Sequence, residues 1–421
     1  MKSHLITLLF IFICSLSANA QHNVRLYDLL NELKYATQDT AKADILIKLA
    51  KEYASIDVTK TIGKAEIALM IANNLNDEQR LFTSLIILSE ANYQRQNLNA
   101  AAKYLSQAQQ LKKVLQNSIQ KAKLLGIEGK IFLALEEYEK AAAALQQQQK
   151  IYEADSNWAK SIDIANTYFE LGELNYIQNS YNEAIYYYLK SLNIRKALND
   201  NQSTIEVLNA LGKTHLKIKN FQKGLDFCNE ALFLTDPLVE NNLLGDIYLH
   251  LASALDELNN KTDAIQKLDK AQIIAENRNN AFQLAKIKLK RGNIYEKSSE
   301  NNLALAQYQE AIQLAEKAGN KALKREIFEV VYQYYDKIGD IRNAYLSLKN
   351  LTSIRDSLRS EEQSKQYIIN KIRFETEKKE QENQKLIAKQ LENDITIQRQ
   401  RTSNYILLVL LLAGTIAGYA L

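Results

Sequence analysis

The chain has 421 residues, with one Pro and 12 Gly, 53 Lys plus Arg against 49 Asp plus Glu, and a net charge of +4. So few breakers leave little room for a turn-rich β fold and suit a succession of helices. The lysines are interleaved with Glu and Gln and form no basic stripe, which describes a solvated mixed-charge surface and weighs against nucleic-acid binding.

Residues 1–20 read as a secretory signal peptide. Lys2 gives a positive start, Leu5 to Leu16 is almost wholly apolar, and Ala18-Asn19-Ala20 is a small-x-small cleavage signal. Cys14 follows Phe12 and Ile13, not the small residues of a lipid-attachment site, so cleavage after Ala20 without a lipid anchor is expected. Cleavage leaves Cys228 alone, and a fold with one Cys is held by packing and not by disulfides. A cap over 21–39 is expected before the first repeat.

Self-similarity is the strongest signal. A small or compact residue recurs at Ser89, Gly129, Gly172, Gly212, Ala252 and Gly292, and in weaker form at Leu49 and Tyr332. The spacing is 40 residues, except 43 between Gly129 and Gly172. Nine residues later comes an often apolar or aromatic position, as at Leu98, Tyr138, Tyr181 and Phe221. Twelve later comes a second small one (Ala101, Ala141, Ala184, Gly224, Ala264, Ala304), and nineteen later the row Ala68, Ala108, Gln148, Ser191, Ala231, Ala271, Ala311, Leu351. Antiparallel helices cross tightly only where side chains are small, and large residues fill the gaps beside the crossing.

The stretch from Leu171 and Gly172 through Tyr176, Tyr181, Ala184 and Ile185 to Tyr188 resembles a tetratricopeptide (TPR) repeat almost position by position. The period exceeds that family's 34 residues by about one and a half turns, which implies longer helices. The resemblance covers 40–353 and implies an all-α superhelical solenoid of about eight helix pairs, with weaker end copies as caps. Cys228 shares its place in the repeat with Tyr188, a core position, so it reads as a buried small hydrophobe.

In that family the first helix of each repeat lines a concave groove for peptides or small ligands. Its positions three before, one after and four after the small residue carry over to Tyr93, Lys130, Phe169, Glu173, Tyr176, Asn209 and Lys213 as a candidate ligand groove. Aromatic stacking and charge-assisted hydrogen bonds would hold a peptide there. Taken singly, each of these residues is equally at home as plain helix surface. The Lys and Asn positions do not follow the order of the family's carboxylate-clamping subclass, so that ligand is not expected.

No catalytic constellation is visible. The His residues are scattered, and there is no His-Glu-x-x-His, no Cys pair and no phosphate-cradling Gly loop. No enzyme activity, metal or cofactor is expected.

Residues 354–402 read as one long polar helix, either a weak coiled coil or a single solvated helix. Residues 405–421 carry no charge. As a helix they span about 26 Å against a bilayer core of roughly 30 Å, with Tyr405 and Tyr419 near the two interfaces. Gly414 and Gly418 form a Gly-x-x-x-Gly pair. It suits a transmembrane dimer contact, and equally the small residues common in membrane helices. The expected arrangement is a single-pass protein of the bacterial inner membrane with its repeats in the periplasm. Because no basic flank or domain follows Leu421, the chain is expected to be the N-terminal part of a longer protein.

This order of segments is similar to that of bacterial TPR-containing membrane sensors, which continue into a histidine kinase or a LuxR-type DNA-binding domain. The resemblance implies a sensory module that recognises a peptide or protein partner in the groove and relays it through the membrane helix, with a homodimer left open. The competing expectation is a complete membrane-tethered scaffold for envelope protein complexes.

Overall fold

Helices joined by one recurring turn account for nearly everything the computed structural model describes, namely residues 24–363 apart from 55, 112 and 237–240. Seventeen α-helices and no strand lie among the described residues. They are α1 (described over 24–35), α2 (Asp39–Tyr53), α3 (Val58–Asn74), α4 (Glu78–Gln94), α5 (Leu98–Gln109), α6 (Ser118–Ala134), α7 (Tyr138–Ala154), α8 (Ile162–Ile177) and α9 (Tyr181–Ala197). There follow α10 (Asn201–Lys217), α11 (Phe221–Leu234), α12 (Asn242–Glu257), α13 (Lys261–Asn277), α14 (Ala281–Lys297), α15 (Asn301–Lys317), α16 (Lys321–Lys337) and α17 (described over 341–363).

The forty-residue period now has a physical cause. From α13 to α16 each helix has 17 residues, and three residues separate it from the next. The turn after α8 shows the mechanism. Asn179 takes a left-handed φ of 61°, and the Asn179 and Ser180 N–H groups donate to the Tyr176 and Asn175 carbonyls. This double bond closes the helix end in the manner of a Schellman motif. Asn fills the left-handed place at Asn76, Asn179, Asn199, Asn259 and Asn279, and Gly at Gly319 and Gly339, the residue types that tolerate it best. The next residue starts the following helix, and Asp77, Asn97, Asp200, Asn220, Asn260 and Asn280 accept an N–H of its first turn on their side chains.

Several links depart from this pattern, among them those after α2, α5, α7 and α11. Between α5 and α6 the helix is shorter, at 12 residues, and a 3-10 turn at Val114–Gln116 makes up the length. Between α7 and α8 a longer connection carries Trp158, whose ring stacks on Tyr152 with centroids 5.5 Å apart. That insertion is the spacing of 43 in the sequence.

The repeat rows are packing rows. Position nine is the first residue of each odd-numbered helix, such as Tyr181 of α9 and Phe221 of α11. Positions twelve and nineteen are buried in every copy, including Ala101, Ala184, Ala264, Ala271 and Ala311. Each small residue faces the side chain sixteen residues later on the partner helix. A Cβ on Gly172 would lie 2.5 Å from the Tyr188 ring, one on Gly292 2.5 Å from Tyr308, and one on Gly129 2.6 Å from Leu145. Gly212 in the same way abuts Cys228, which is fully buried and free.

The chain divides into two compact units, one ending at Leu323 and one beginning at Lys324. In the first, α2–α3, α4–α5, α6–α7, α8–α9, α10–α11, α12–α13 and α14–α15 form seven helical hairpins. Even-numbered helices also pack on one another (α2 on α4, α4 on α6, α6 on α8, α10 on α12, α12 on α14) and so make an inner layer. The second unit holds most of α16 and the described part of α17, with Ile327, Phe328, Val331, Tyr334, Ala344 and Leu351 buried. The sequence marks this boundary only weakly, by Tyr332 standing where most earlier copies have Gly, Ala or Ser.

The expected signal peptide (1–20), Pro237, most of the polar helix (354–402), the span 405–421 and the Gly414–Gly418 pair lie outside the described residues. Among the described residues no helix is long and apolar enough to cross a membrane.

Candidate functional site

The inner layer of the first unit encloses a cavity of about 560 Å³ between α2, α4, α6 and α8, with one side reaching Gln148 and Tyr152 of α7. Its lining mixes apolar side chains, among them Phe82, Ile86, Ile87 and Ile127, with polar and charged ones.

A ladder of charge crosses the cavity at forty-residue steps. Lys130 on α6 donates to Glu90 on α4 at 3.2 Å and approaches Glu170 on α8 at 3.8 Å. The side chains of Lys130 and Glu170 keep 24% and 21% of their surface open, so the ladder lies on a wall and not in the core. Burial works against the Lys130 charge, but Glu170 and Glu90 together outweigh it and hold its pKa above the ordinary value. Burial prevails at Glu170, whose pKa is raised despite Lys130, with Glu173 and Glu90 adding to the rise. The two partners differ because Lys130 is hydrogen-bonded to Glu90 and only near Glu170. Burial also raises the carboxyls of Asp163 and Glu128.

The residues singled out in the sequence fall into three places. Lys130 lines the cavity. Tyr93 is half-buried beside it, its hydroxyl pKa raised by burial and by Glu170. Phe169 and Glu173 are tied to the core of their own hairpin. The Phe169 ring packs on Tyr188 at 5.7 Å with Arg195 over it at 5.6 Å, and Glu173 accepts the Tyr188 hydroxyl. Further along the inner layer, the Lys213 ammonium stands 3.9 Å over the Tyr176 ring. Asn209 is buried and bonds His250 Nδ1 at 2.8 Å. Lys213, Lys217 and Lys286 all act on His250, which burial and these cations push down to about 3. The seven positions therefore divide between the cavity and the α8–α12 stretch.

The sequence reading missed Lys51, Lys123, Asp163, Asn166 and Glu170, all of which line the cavity. Four of the five share the helical phase of the chosen positions, two or three turns further toward the helix N-terminus in Lys123, Asp163 and Asn166. Extending the groove positions by three and four residues along each first helix reaches them. Lys51 comes from the far end of α2, and only the fold brings it there.

A model of the tetratricopeptide repeat family matches residues 163–232, which are the α8–α11 hairpins. A search of curated proteins finds no match to the sequence. Among solved structures, the apo quorum sensor NprR from B. thuringiensis is similar with a TM-score of 0.62 and 15% identity, over 80% of this chain and 95% of that one. The apo form of RapI is similar with a TM-score of 0.57 and 15% identity, over 66% of this chain and 99% of that one. The Rap conjugation gene regulator of plasmid pLS20, in complex with the Phr* peptide, gives 0.53 and 12%, over 80% and 94%. At these identities the likeness is one of fold, an all-α helical-repeat solenoid, and the tetratricopeptide match itself covers residues 163–232.

Proposed function

We propose that the chain is a peptide-binding module whose ligand lies extended in the cavity between α2, α4, α6 and α8. The observation that carries this reading is that Gln79, Gln94 and Gln120 line the cavity together with apolar Phe82, Ile86 and Ile127. A carboxamide offers one acceptor and a two-proton donor in the geometry of a peptide bond, so a wall of them satisfies a backbone without reading its sequence. The Phr* complex of the similar Rap regulator supports a peptide as the ligand class.

The finer part of the reading concerns the segments after α17. The polar sequence of 354–402 and the uncharged sequence of 405–421 suit a sensor that is tethered to a membrane and passes ligand occupancy toward it. The scaffold reading differs only in lacking that passage, and no further residue pattern favours it. In neither reading does the chain itself perform chemistry.

The test is peptide binding by the full-length chain with the cavity filled. Thr83→Trp places a large ring among the lining residues, and Lys103→Trp places the same ring on the exposed face of α5. Loss of binding in the first variant alone is expected. Equal binding by both variants would move the site elsewhere.

A further inference from the structure

Two packing rows that are closed in earlier copies stand open on α17. The residue sixteen places after the small position is fully buried as Tyr188, Cys228, Leu268 and Tyr308. Its counterpart Leu348 is 39% exposed. The residue three places before that one joins one hairpin to the next. Leu225 packs on the cluster that holds Ile247 and Leu251 of α12, and Ile265 on the one that holds Ile287 and Ile294 of α14. Its counterpart Tyr345 is 65% exposed. Ile341, Tyr345, Leu348 and Thr352 follow one another at steps of four, three and four residues, so they share one side of the helix. Ala344, Ser347 and Leu351, on another side, are buried. α17 thus carries the face that, in other odd-numbered helices, receives a further helix.

The pattern of turns does not supply that helix. Elsewhere the next even-numbered helix follows a tight turn on a left-handed residue, such as Asn279 or Gly319. Forty residues after Gly319 stands Arg359, and α17 runs through it as helix to 363.

Two charges on the same side identify the occupant. Asp356 and Arg359 continue the stripe beyond Thr352 at steps of four and three, and neither is in an ion pair among the described residues. A face with both signs can complement itself. A second copy lying parallel brings each Asp356 opposite the other's Arg359, and Tyr345 and Leu348 opposite their own counterparts. An antiparallel pair over Tyr345 and Leu348 would instead set the two charges against Ile341 and the turn before it.

We propose that α17 is an interface between two copies of this chain, the helices parallel about a two-fold axis and each covering Tyr345 and Leu348 of the other. The parallel sense also sends both chains the same way past 363, toward the uncharged sequence of 405–421. This inference stands on the second unit alone and does not depend on peptide binding.

The experiment is oxidative crosslinking of the full-length chain in detergent, with Cys14 and Cys228 replaced by Ala and a single Cys introduced on α17. Tyr345→Cys and Thr352→Cys each meet their own counterpart in a parallel pair. They are expected to form disulfide-linked dimer at least about five-fold faster than Asn350→Cys, which is exposed outside the stripe. Asp356→Arg should slow the linking at position 345 by about three-fold or more, because two exposed pairs become repulsions, and adding Arg359→Asp should restore it. Equal rates at 345, 350 and 352 would mean random collision and overturn the proposal, as would an unchanged rate in Asp356→Arg. Linking of Tyr345→Cys to Thr352→Cys in a mixture of the two variants, with neither linking to itself, would show an antiparallel pair and overturn it. A disulfide between Tyr345→Cys and Ile372→Cys within one chain would put the chain's own later segment on the face and overturn it as well.

Discussion

Gly172 and Tyr188 fit each other as a pair: the ring is fully buried, and a Cβ on the glycine would reach within 2.5 Å of it. The same two places hold Ser89 with Leu105 and Ala252 with Leu268, all buried. In these three pairs the larger partner stands opposite the smaller residue, whereas Gly212 with Cys228 is small on both sides. Gly172→Ala should destabilise the first unit by about 1–3 kcal/mol through overpacking. The change Tyr188→Leu in the same chain should recover part of that loss, because it recreates the Ala252–Leu268 pair. Thermal unfolding of the single and double variants measures the coupling, and purely additive effects would contradict the pairing. Bulky substitutions at the buried Ala184 and Ala264 should carry a cost of the same order, about 1–3 kcal/mol.

Cys228 should be chemically silent in the folded chain. It is fully buried behind Gly212, and burial pushes its thiol up to about 12. Thiolate is the reactive form. A disulfide reagent at pH 8 should therefore label the protein only after denaturant is added, and stoichiometric labelling of native protein would overturn the placement.

His250 should give the first unit an acid-sensitive component. Its folded pKa is about 3 against 6.5 for the free group, so in between the unfolded chain binds the extra proton. Stability should fall as pH drops from 6.5 toward 3. His250→Gln, which keeps a donor for Asn209, should lose that part of the slope. An unchanged slope in urea titrations of the variant would count against the effect.

Asp256 acts in a lower window. Its buried carboxylate accepts Lys290 at 2.8 Å and Lys297 at 3.0 Å, and these bonds outweigh the burial that opposes its charge. A depressed folded pKa contributes stability above the unfolded value of 3.8 and loses it as pH falls through the folded value. Asp256→Asn should destabilise by about 1–3 kcal/mol at pH 7, with the difference from the parent shrinking as pH falls below 3.8. A difference that does not shrink with falling pH would assign the cost to packing instead.

Tyr176 and Lys213 test whether the inner layer beyond the cavity contributes to recognition. Replacing both with Ala removes the cation–π contact at 3.9 Å and one face of the stretch between α8 and α10. A captured peptide should bind more weakly, by about the 1–2 kcal/mol of a partly desolvated cation–π pair. Unchanged affinity would confine the ligand to the α2–α8 cavity.

The rows of Gly and Ala made the hairpins legible, because close helix crossings demand small residues whatever surrounds them. Cys228 was legible for the same reason: its register with Tyr188 placed it in the core. The left-handed turns were not read from the sequence, although the residue type suits the conformation at Asn179 and Asn259. They were hidden at Glu136 and Lys219, which take φ near 60° only because the hairpin imposes it. Lys123, Asp163 and Asn166 share a helical phase with the chosen groove positions and could have been found from it. Lys51 could not, since its approach to Asp163 is a product of how successive hairpins stack and no local pattern encodes that.

The side-by-side packing of successive first helices also sets a ruler along the inner layer. Neighbouring first helices, such as those carrying Glu90, Lys130 and Glu170, pack side by side, which places their axes about 9 Å apart. An extended peptide advances about 3.3 Å per residue. One helix step therefore matches about three ligand residues, and an extended ligand crossing the layer would be sampled at every third side chain, whatever lies between.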